Sequence, residues 1–547
     1  MLVLVALLAA ACGDDGDDDS AGGSDGSEQT TTQPEAEPQA GGSITIGEFT
    51  PLSGLDPTIA ITSGCCGGIE LAAIYDTLVK YNTETGEYEP QVAESLEPNA
   101  DSTVWTLKLP TGLTFGDGTP YDAAAVKLNI ERHMTSPRSI IRAVIVAQVA
   151  SMNVVDAQTL TITLKKGWPG FPYVLAGGGG MIASPTAIAK GESFNTTPSN
   201  AGVGPFVVES FRPLEALVLK KNPNYHGDEA YLDEVRFTYV AGADAQYEAI
   251  KADTLDAALT VNAVPVRAQA IDDGYPVLDV PSPAGGVMMM NAGKAPCRGG
   301  SPAPACTGKA DGTVIELDVP TADPRVRRAI VLATNPEVFN ERRWDGEGDP
   351  HSSLLPEDFP WNPGLEGPEY NPDEAKKLVE EAKADGWDGK IRFLAPNVPE
   401  GRETATAFST MLQAVGIEVI SDTSKDSGAL TIQVIVQRDY DVATGGFGWD
   451  DVFDRFYAAL PSTWGSAEYR YGYGSPEMDA AIDKFRTAVD DDDRTEAFAG
   501  LVELYNRDLP AVVYGSTHSS MITDHDVHGF TRGVDVLFRL DKVWKEQ

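Results

Sequence analysis

A mixed α/β fold with more than one domain is what the sequence predicts, and three observations predict it. Some segments alternate apolar and polar residues, as half-buried strands do. Others space apolar residues three and four apart behind helix-start signals, as amphipathic helices do. Both kinds recur along a chain of 547 residues with 42% apolar content, which is ordinary for packed globular domains and long enough for two to four of them.

Two strands are plain. Trp105, Leu107 and Leu109 alternate with Thr106 and Lys108, and Leu160, Ile162 and Leu164 alternate with Thr161 and Thr163. Three helices have readable starts. Asn371 can cap the first, Pro372 suits its first turn, and Asp373 and Glu374 complement its positive end. Ala375, Leu378, Val379 and Ala382 then share one face, and Gly386 can end the helix. Ser475-Pro476-Glu477 opens a second, with Met478, Ala481, Ile482 and Phe485 inward, and a third runs near Glu496 to Asn506. Pro/Gly-rich breaks at 176–205 and 281–312, and a softer one at 514–516, suggest boundaries.

The first forty residues read differently. Leu2 to Ala11 is an uninterrupted apolar run, too short for a membrane helix, which needs about 20 residues, and of the right length for the core of a secretion signal. It ends in Leu8-Ala9-Ala10-Ala11-Cys12-Gly13, which resembles the lipobox of bacterial lipoproteins, with Ala9 where Leu is usual. The resemblance implies that Cys12 is lipidated and anchors the chain to a membrane. Residues 13–41 are rich in Asp, Glu, Gly, Ser and Thr without a Lys or Arg, and such a segment forms a disordered tether because it cannot bury a core.

The formal net charge is -41. Phosphate binding needs clustered Lys and Arg, so nucleic acid is excluded as a partner, and broad contact with an anionic membrane surface is disfavoured. Cys297 and Cys306 flank a short Gly/Pro/Ser loop that a disulfide closes easily, for ~2–3 kcal/mol of stabilisation. The adjacent Cys65 and Cys66 lack the spacer of zinc ligands. They are either a vicinal disulfide or two thiols. No metal or cofactor site is predicted: the six histidines lack metal-site spacing, and neither a Gly-x-Ser-x-Gly elbow nor a His-Glu-x-x-His motif occurs. The string Asp450-Asp451-Val452-Phe453-Asp454 is like that of prenyl-diphosphate synthases, but it has no second copy and lies in a chain with strands and an export signal.

Several stretches, in order, resemble the bacterial extracellular solute-binding proteins that include oligopeptide-, dipeptide- and nickel-binding subunits of ABC importers. They are Leu55-Asp56-Pro57, Ile74-Tyr75-Asp76-Thr77-Leu78, Glu89 to Leu96, Leu113 to Pro120, Gly202-Val203-Gly204-Pro205-Phe206, Leu219 to Tyr225, Pro324 to Ile330, and Asp439-Tyr440-Asp441-Val442 ahead of Gly448-Trp449. The resemblance covers nearly all of 42–544. It implies an α/β, two-lobed, periplasmic-binding-protein-like fold with a hinge and an extra subdomain in the N-terminal lobe. Lobe I is expected at 42–75, 200–285 and 515–547, its subdomain at 76–199, and lobe II at 286–514. It further implies a monomer outside the cytoplasm, in the periplasm or on the outer cell surface, that captures a small solute between the lobes and delivers it to ABC permease subunits, without catalysis or cofactor.

The resemblance also implies ligand residues. In peptide-binding relatives the first Asp of Trp-x-x-Asp-Tyr-x-Asp-Pro meets the ligand's α-ammonium. Asp451 matches it, with Asp450 the match if the register slips, while Val452 and Arg455 depart from the pattern. Trp449 and Phe447 would wall the pocket. The stretch from Ser63 to Gly68 borders the cleft in relatives, so Cys65 and Cys66 would approach the ligand. Asn291 would close a strand near the hinge, while Met288 to Met290 reads as core packing. A peptide is the expected solute, with nickel, a metal chelate, a sugar or an opine-like compound next. A ligand-sensing lipoprotein without a transport role and a secreted hydrolase are the alternative functions.

Overall fold

The computed structural model describes residues 37–547 apart from 300, 360, 446–455, 457–459, 461–463, 467–468 and 489. The first strand, β1 (Ser43–Glu48), buries Ile44 and Ile46 against a short helix, α1 (Gly68–Tyr75), every residue of which is buried. The chain then builds a separate antiparallel sheet from β2 (Ser95–Pro98), β3 (Val104–Lys108), β4 (Val149–Val154) and β5 (Thr159–Leu164), in the order β2-β3-β5-β4. Its register explains the alternation in the sequence: Trp105 lies opposite Ile162 and Leu107 opposite Leu160. All four are buried, with the hydroxyls of Thr106 and Thr161 on the other face. Helix α2 (Ala123–Thr135) packs Val126 and Ile130 into the same core, and Asp122 caps it by accepting from the Ala125 N–H at 2.9 Å.

Nine further strands form one sheet of ten with β1. In chain order they are β6 (Phe206–Arg212), β7 (Ala216–Lys221), β8 (Glu234–Tyr239), β9 (Ala257–Val261), β10 (Val277–Met290), β11 (Lys390–Leu394), β12 (Glu418–Asp422), β13 (Val442–Gly445) and β14 (Ala511–Thr523). The spatial order is β12-β11-β13-β10-β14-β9-β1-β8-β7-β6. Helices α3 (Ala243–Lys251) and α4 (Val264–Asp272) flank β9. The β11 side carries α5 (Pro324–Ala333), α6 (Pro336–Arg343), α7 (Pro372–Ala384), α8 (Pro399–Gln413), α9 (Pro476–Arg486) and α10 (Asp491–Asp508).

Local chemistry sets these helices. Asn371 and Ser475 cap α7 and α9 through the N–H groups of Glu374 and Met478, each at 3.1 Å. Helix α10 starts five residues before the apolar period does, because its first turn, Asp491 to Arg494, is wholly charged and is capped by Asp490 through Asp493 N–H at 2.9 Å. Met288, Met289 and Met290 are all buried in β10, since that strand has a neighbour on each side and helices over it. Cys297 and Cys306 are placed as a disulfide with Cα atoms 5.3 Å apart, at the centre of a small apolar cluster with Ala295 and Ile315.

After β14 the chain folds back over the β1 side, where Arg539 reaches the fully buried Asp76 at 2.9 Å. Asp76 also accepts from Tyr225 at 2.8 Å, Gln91 at 3.0 Å and the Thr77 N–H at 2.8 Å. Burial alone would raise its pKa, but the Arg539 guanidinium, with His226 Nε2 at 3.3 Å and the Gln91 amide, holds it well below the usual carboxylate range. Arg539→Met would leave that carboxylate buried without its countercharge, and we expect a loss of about 3–5 kcal/mol at neutral pH. A carboxylate whose folded pKa is depressed stabilises fully above its unfolded value, about 3.9, and less as pH falls below it. The unfolded chain titrates alike in both proteins, so the stability difference between wild type and variant in urea unfolding should shrink as pH falls toward the depressed folded value of wild type. A difference that does not change with pH would refute the pairing as its cause.

Candidate ligand-binding cleft

The register of the long strands locates a gap. Val261, the last residue of β9, lies opposite Ser519 of β14, which pairs with Val280 of β10. On the other side, Gly445, the last residue of β13, lies opposite Val287 of β10. Strand β9 runs parallel to β1 and β8, whereas β13 runs antiparallel to β10 and parallel to β11. The carboxyl ends of β1, β8 and β9 therefore face those of β11 and β13. The stretch from Pro281 to Gly286 and the stretch from Tyr514 to His518 bridge them. Open α/β sheets bind ligands outside the carboxyl ends of their strands, and here two such edges oppose each other.

The bridging stretch is built to bend. The pairing of β10 with β14 slips on both sides of Gly286, and such bulges twist a strand and weaken its ladder. Gly515 holds φ +149°, and a Cβ there would stand 2.5 Å from the Asp349 carbonyl oxygen. That carbonyl accepts from the Ser516 N–H at 3.0 Å. Ser516 Oγ lies 2.9 Å from Asp349 Oδ2, 2.9 Å from His351 Nε2 and 3.1 Å from the Pro283 carbonyl. The segment from Asp349 to His351 thus straps both bridging strands. A serine beside a histidine invites a hydrolytic reading, but His351 Nδ1 meets the Ser353 carbonyl, so no carboxylate orients the ring as a triad requires.

Polar groups are left over at the gap. Thr50 Oγ1, just past β1, and Thr517 Oγ1 and His518 Nδ1 on the floor are buried without a hydrogen-bond partner among the described residues. Buried polar atoms of this kind call for an explanation, and a bound solute is one. At the end of β1, Glu48 meets Glu70 of α1. Burial raises the pKa of Glu48 well above normal, the Glu70 charge adds to this, and Glu70 is itself raised by burial. A small cavity between the two edges is lined by Phe49, Gln246 and Val261 from one side and by Val398 and Glu400 from the other. The larger hollow, about 320 Å³, is walled by Asp117, Lys190, Ser199 and Val208. All four precede β10, so this hollow does not lie between the opposed edges.

The residues expected from the sequence divide into three groups. Phe447, Trp449, Asp450 and Asp451 lie outside the described residues, as does Cys12. Strand β13 brings the chain to the gap at Gly445, two residues before Phe447. Cys65 and Cys66 are half-buried and bridged to each other in a short turn before α1. That turn is docked on the C-terminal segment, where Gly64 N–H donates to the Asp535 carbonyl at 2.9 Å and Ser63 Oγ to the Asp535 carboxylate at 3.1 Å. Asn291 needs a correction. It is fully buried, its Nδ2 donates to the Arg438 and Tyr440 carbonyls, and its Oδ1 accepts from Gly293 N–H. It follows β10 at the end away from the gap, so its side chain fastens a loop and has no donor left for a solute. Sequence reasoning missed Glu48, Thr50, Thr517 and His518, which no spacing or motif marks.

Residues 87–468 match the profile described as "Bacterial extracellular solute-binding proteins, family 5 Middle". The chain belongs to this family. Family 5 is a family of binding proteins. The probable D,D-dipeptide-binding periplasmic protein DdpA of Escherichia coli K12 is 24% identical over 502 residues, covering 89% of this chain and 91% of its own. The dipeptide-binding protein from Pseudoalteromonas sp. SM9913 in complex with Met-Leu superposes with a TM-score of 0.75 at 18% identity, over 92% of this chain and 100% of that one. The binding protein AgaA from A. tumefaciens R10, in complex with agropinic acid, gives 0.75 at 21% identity, over 92% and 99%. These likenesses establish the two-lobed fold. No helix among the described residues is long and apolar enough to cross a membrane.

If Gly515 is the conformational pivot of the floor, Gly515→Ala forces a side chain into strained backbone and against Asp349. We expect a loss of about 1–3 kcal/mol in thermal unfolding. An unchanged melting temperature would mean that the bridge tolerates a Cβ and that the glycine is incidental.

Proposed function

We propose that this protein is the lipid-anchored, extracytoplasmic solute-binding subunit of an ABC importer, which captures a peptide-like solute in the cleft and hands it to membrane permease subunits. The observation that carries this reading is the pair of opposed strand edges joined by a glycine-bearing bridge, in a chain of family 5. A solute that touches both edges favours the closed arrangement, and closure is a signal a permease can read. The peptide-binding names of DdpA and of the Pseudoalteromonas protein favour a peptide.

Lobe I is then 42–75, 200–285 and 515–547, its subdomain 76–199, and lobe II 286–514. The gathering of β1 and β6 to β9 on one side, and of β11 to β13 on the other, supports this division. Asp451 is the proposed partner of the ligand's ammonium, with Asp450 beside it and Phe447 and Trp449 as walls. The bridged Cys65 and Cys66 are proposed to border the ligand. A second reading, an opine-like solute, is favoured by the AgaA likeness and by Val452 and Arg455, which depart from the peptide-binding pattern. The protein acts as a monomer, tethered by residues 13–41 to a lipid on Cys12.

Two measurements test this. A thermal-shift screen of the chain from Gly41 uses di- to pentapeptides, nickel with and without histidine, oligosaccharides and agropinic acid. A ligand at 100 times its Kd adds about 2.7 kcal/mol, a shift of a few degrees at this size. A peptide shift that disappears in Asp451→Ala supports the peptide reading, whereas a shift with agropinic acid alone replaces it. Separately, cells expressing the full chain and fed a radiolabelled fatty acid should label wild type and not Cys12→Ser. Equal labelling would sink the anchor.

A further inference from the structure

Helix α3 begins without a cap of its own. Its N-cap is Gly242, at φ 92°, which offers no side chain. The first N–H groups of a helix need acceptors from elsewhere. Ala243 finds one across the cleft, because Glu400 Oε1 accepts its N–H at 2.9 Å. Glu400 stands in the first turn of α8, just past the carboxyl end of β11, while α3 follows the carboxyl end of β8. The two helix starts abut so closely that a Cβ on Gly242 would lie 3.5 Å from the Pro399 ring and 3.8 Å from Glu400 Oε1. Tyr239, the last residue of β8, feels the same approach: burial first, then the carboxylates of Asp426 and Glu400, raise its pKa. A separate contact closes the far side, where buried Arg486 of α9 donates to the Gly167 carbonyl and Lys166 pairs with Asp483.

We propose that Glu400 is a closure latch, a positioning residue that caps the lobe I helix α3 only when the lobes meet and so sets the balance between open and closed forms without touching the solute. The carboxylate gains twice in that position, from a backbone donor and from the positive end of the helix. In the open form it returns to water. Its neighbour across the contact is a glycine, and even a capping Ser, Thr or Asp at 242 would reach the second or third N–H of the helix and leave that of Ala243 to Glu400. The proposal rests on the two-lobed binding reading above, but its test needs no solute, so a failed ligand screen and a failed latch are separate results.

The test is hydrogen exchange and small-angle X-ray scattering on the full chain, for wild type, Glu400→Ala and Glu400→Gln. Exchange at the first turn of α3 should speed up about fivefold in Glu400→Ala, the effect of losing one helix cap, while α8 keeps its protection and the radius of gyration rises. Glu400→Gln, which keeps an acceptor oxygen and loses the charge, should fall between. Unchanged exchange at α3 overturns the proposal. So does an equal loss of protection in α8, which would make Glu400 a support for its own helix. Faster exchange at α3 with no change in radius also overturns it, because the bond would then be a local cap with no hold on closure.

Discussion

The antiparallel pairing of β10 with β14 is the constraint on which the rest of the molecule depends. Its partners are far apart in sequence: Asp279 and Ser520, joined by a side-chain hydrogen bond, are 241 residues apart. Bringing such distant segments together costs loop-closure entropy, and the return is a pair of strands long enough to serve two sheet halves at once. Ten paired residues along one strand could have formed a rigid beam, but the slips around Gly286 and the strap from Asp349 divide it into two stiff ends and a pliable middle. Placing the carboxyl ends of the parallel strands over that middle follows directly. Strands on either side of a common pair, running in opposite senses, can only point their ends at each other.

Burial decides what the carboxylates do, and it decides differently at two nearby places. Asp76 is buried with a guanidinium, the His226 ring and donors from Tyr225, Gln91 and Thr77, so it stays ionised and holds the C-terminal segment to the β1 side. Glu48 and Glu70 are buried with each other. Two like charges in a shared low-dielectric site favour a retained proton, so the end of β1 adds less negative charge to the cleft than its sequence implies. The net charge of -41 is consequently a property of the surface, and says little about the electrostatics a solute meets.

Period and cap chemistry made much of the local structure legible. Trp105, Leu107, Leu160 and Ile162 alternate because they face one core, and Asn371 and Ser475 announce helices because their side chains replace missing acceptors. The charged first turn of α10 escaped because a solvated turn carries no apolar period. Long-range partners escaped for a different reason. Asp76 and Arg539 stand 463 residues apart, and nothing local marks either as half of a pair. The cleft was foreseeable only through resemblance, and resemblance misled at Asn291, where a polar residue at a strand end serves the backbone. Thr50, Thr517 and His518 become visible only once register sets them at the gap.

A cleft formed by opposed strand ends has a further consequence for specificity. Each edge presents groups of its own side only, so neither edge alone encloses a solute, and affinity includes the free energy of closing. Contacts that belong to the closed form, such as the buried Arg486 against the Gly167 carbonyl, therefore act on every solute alike. They set how much of the closing cost remains for the ligand to supply. Discrimination between solutes has to come from groups that meet the ligand itself.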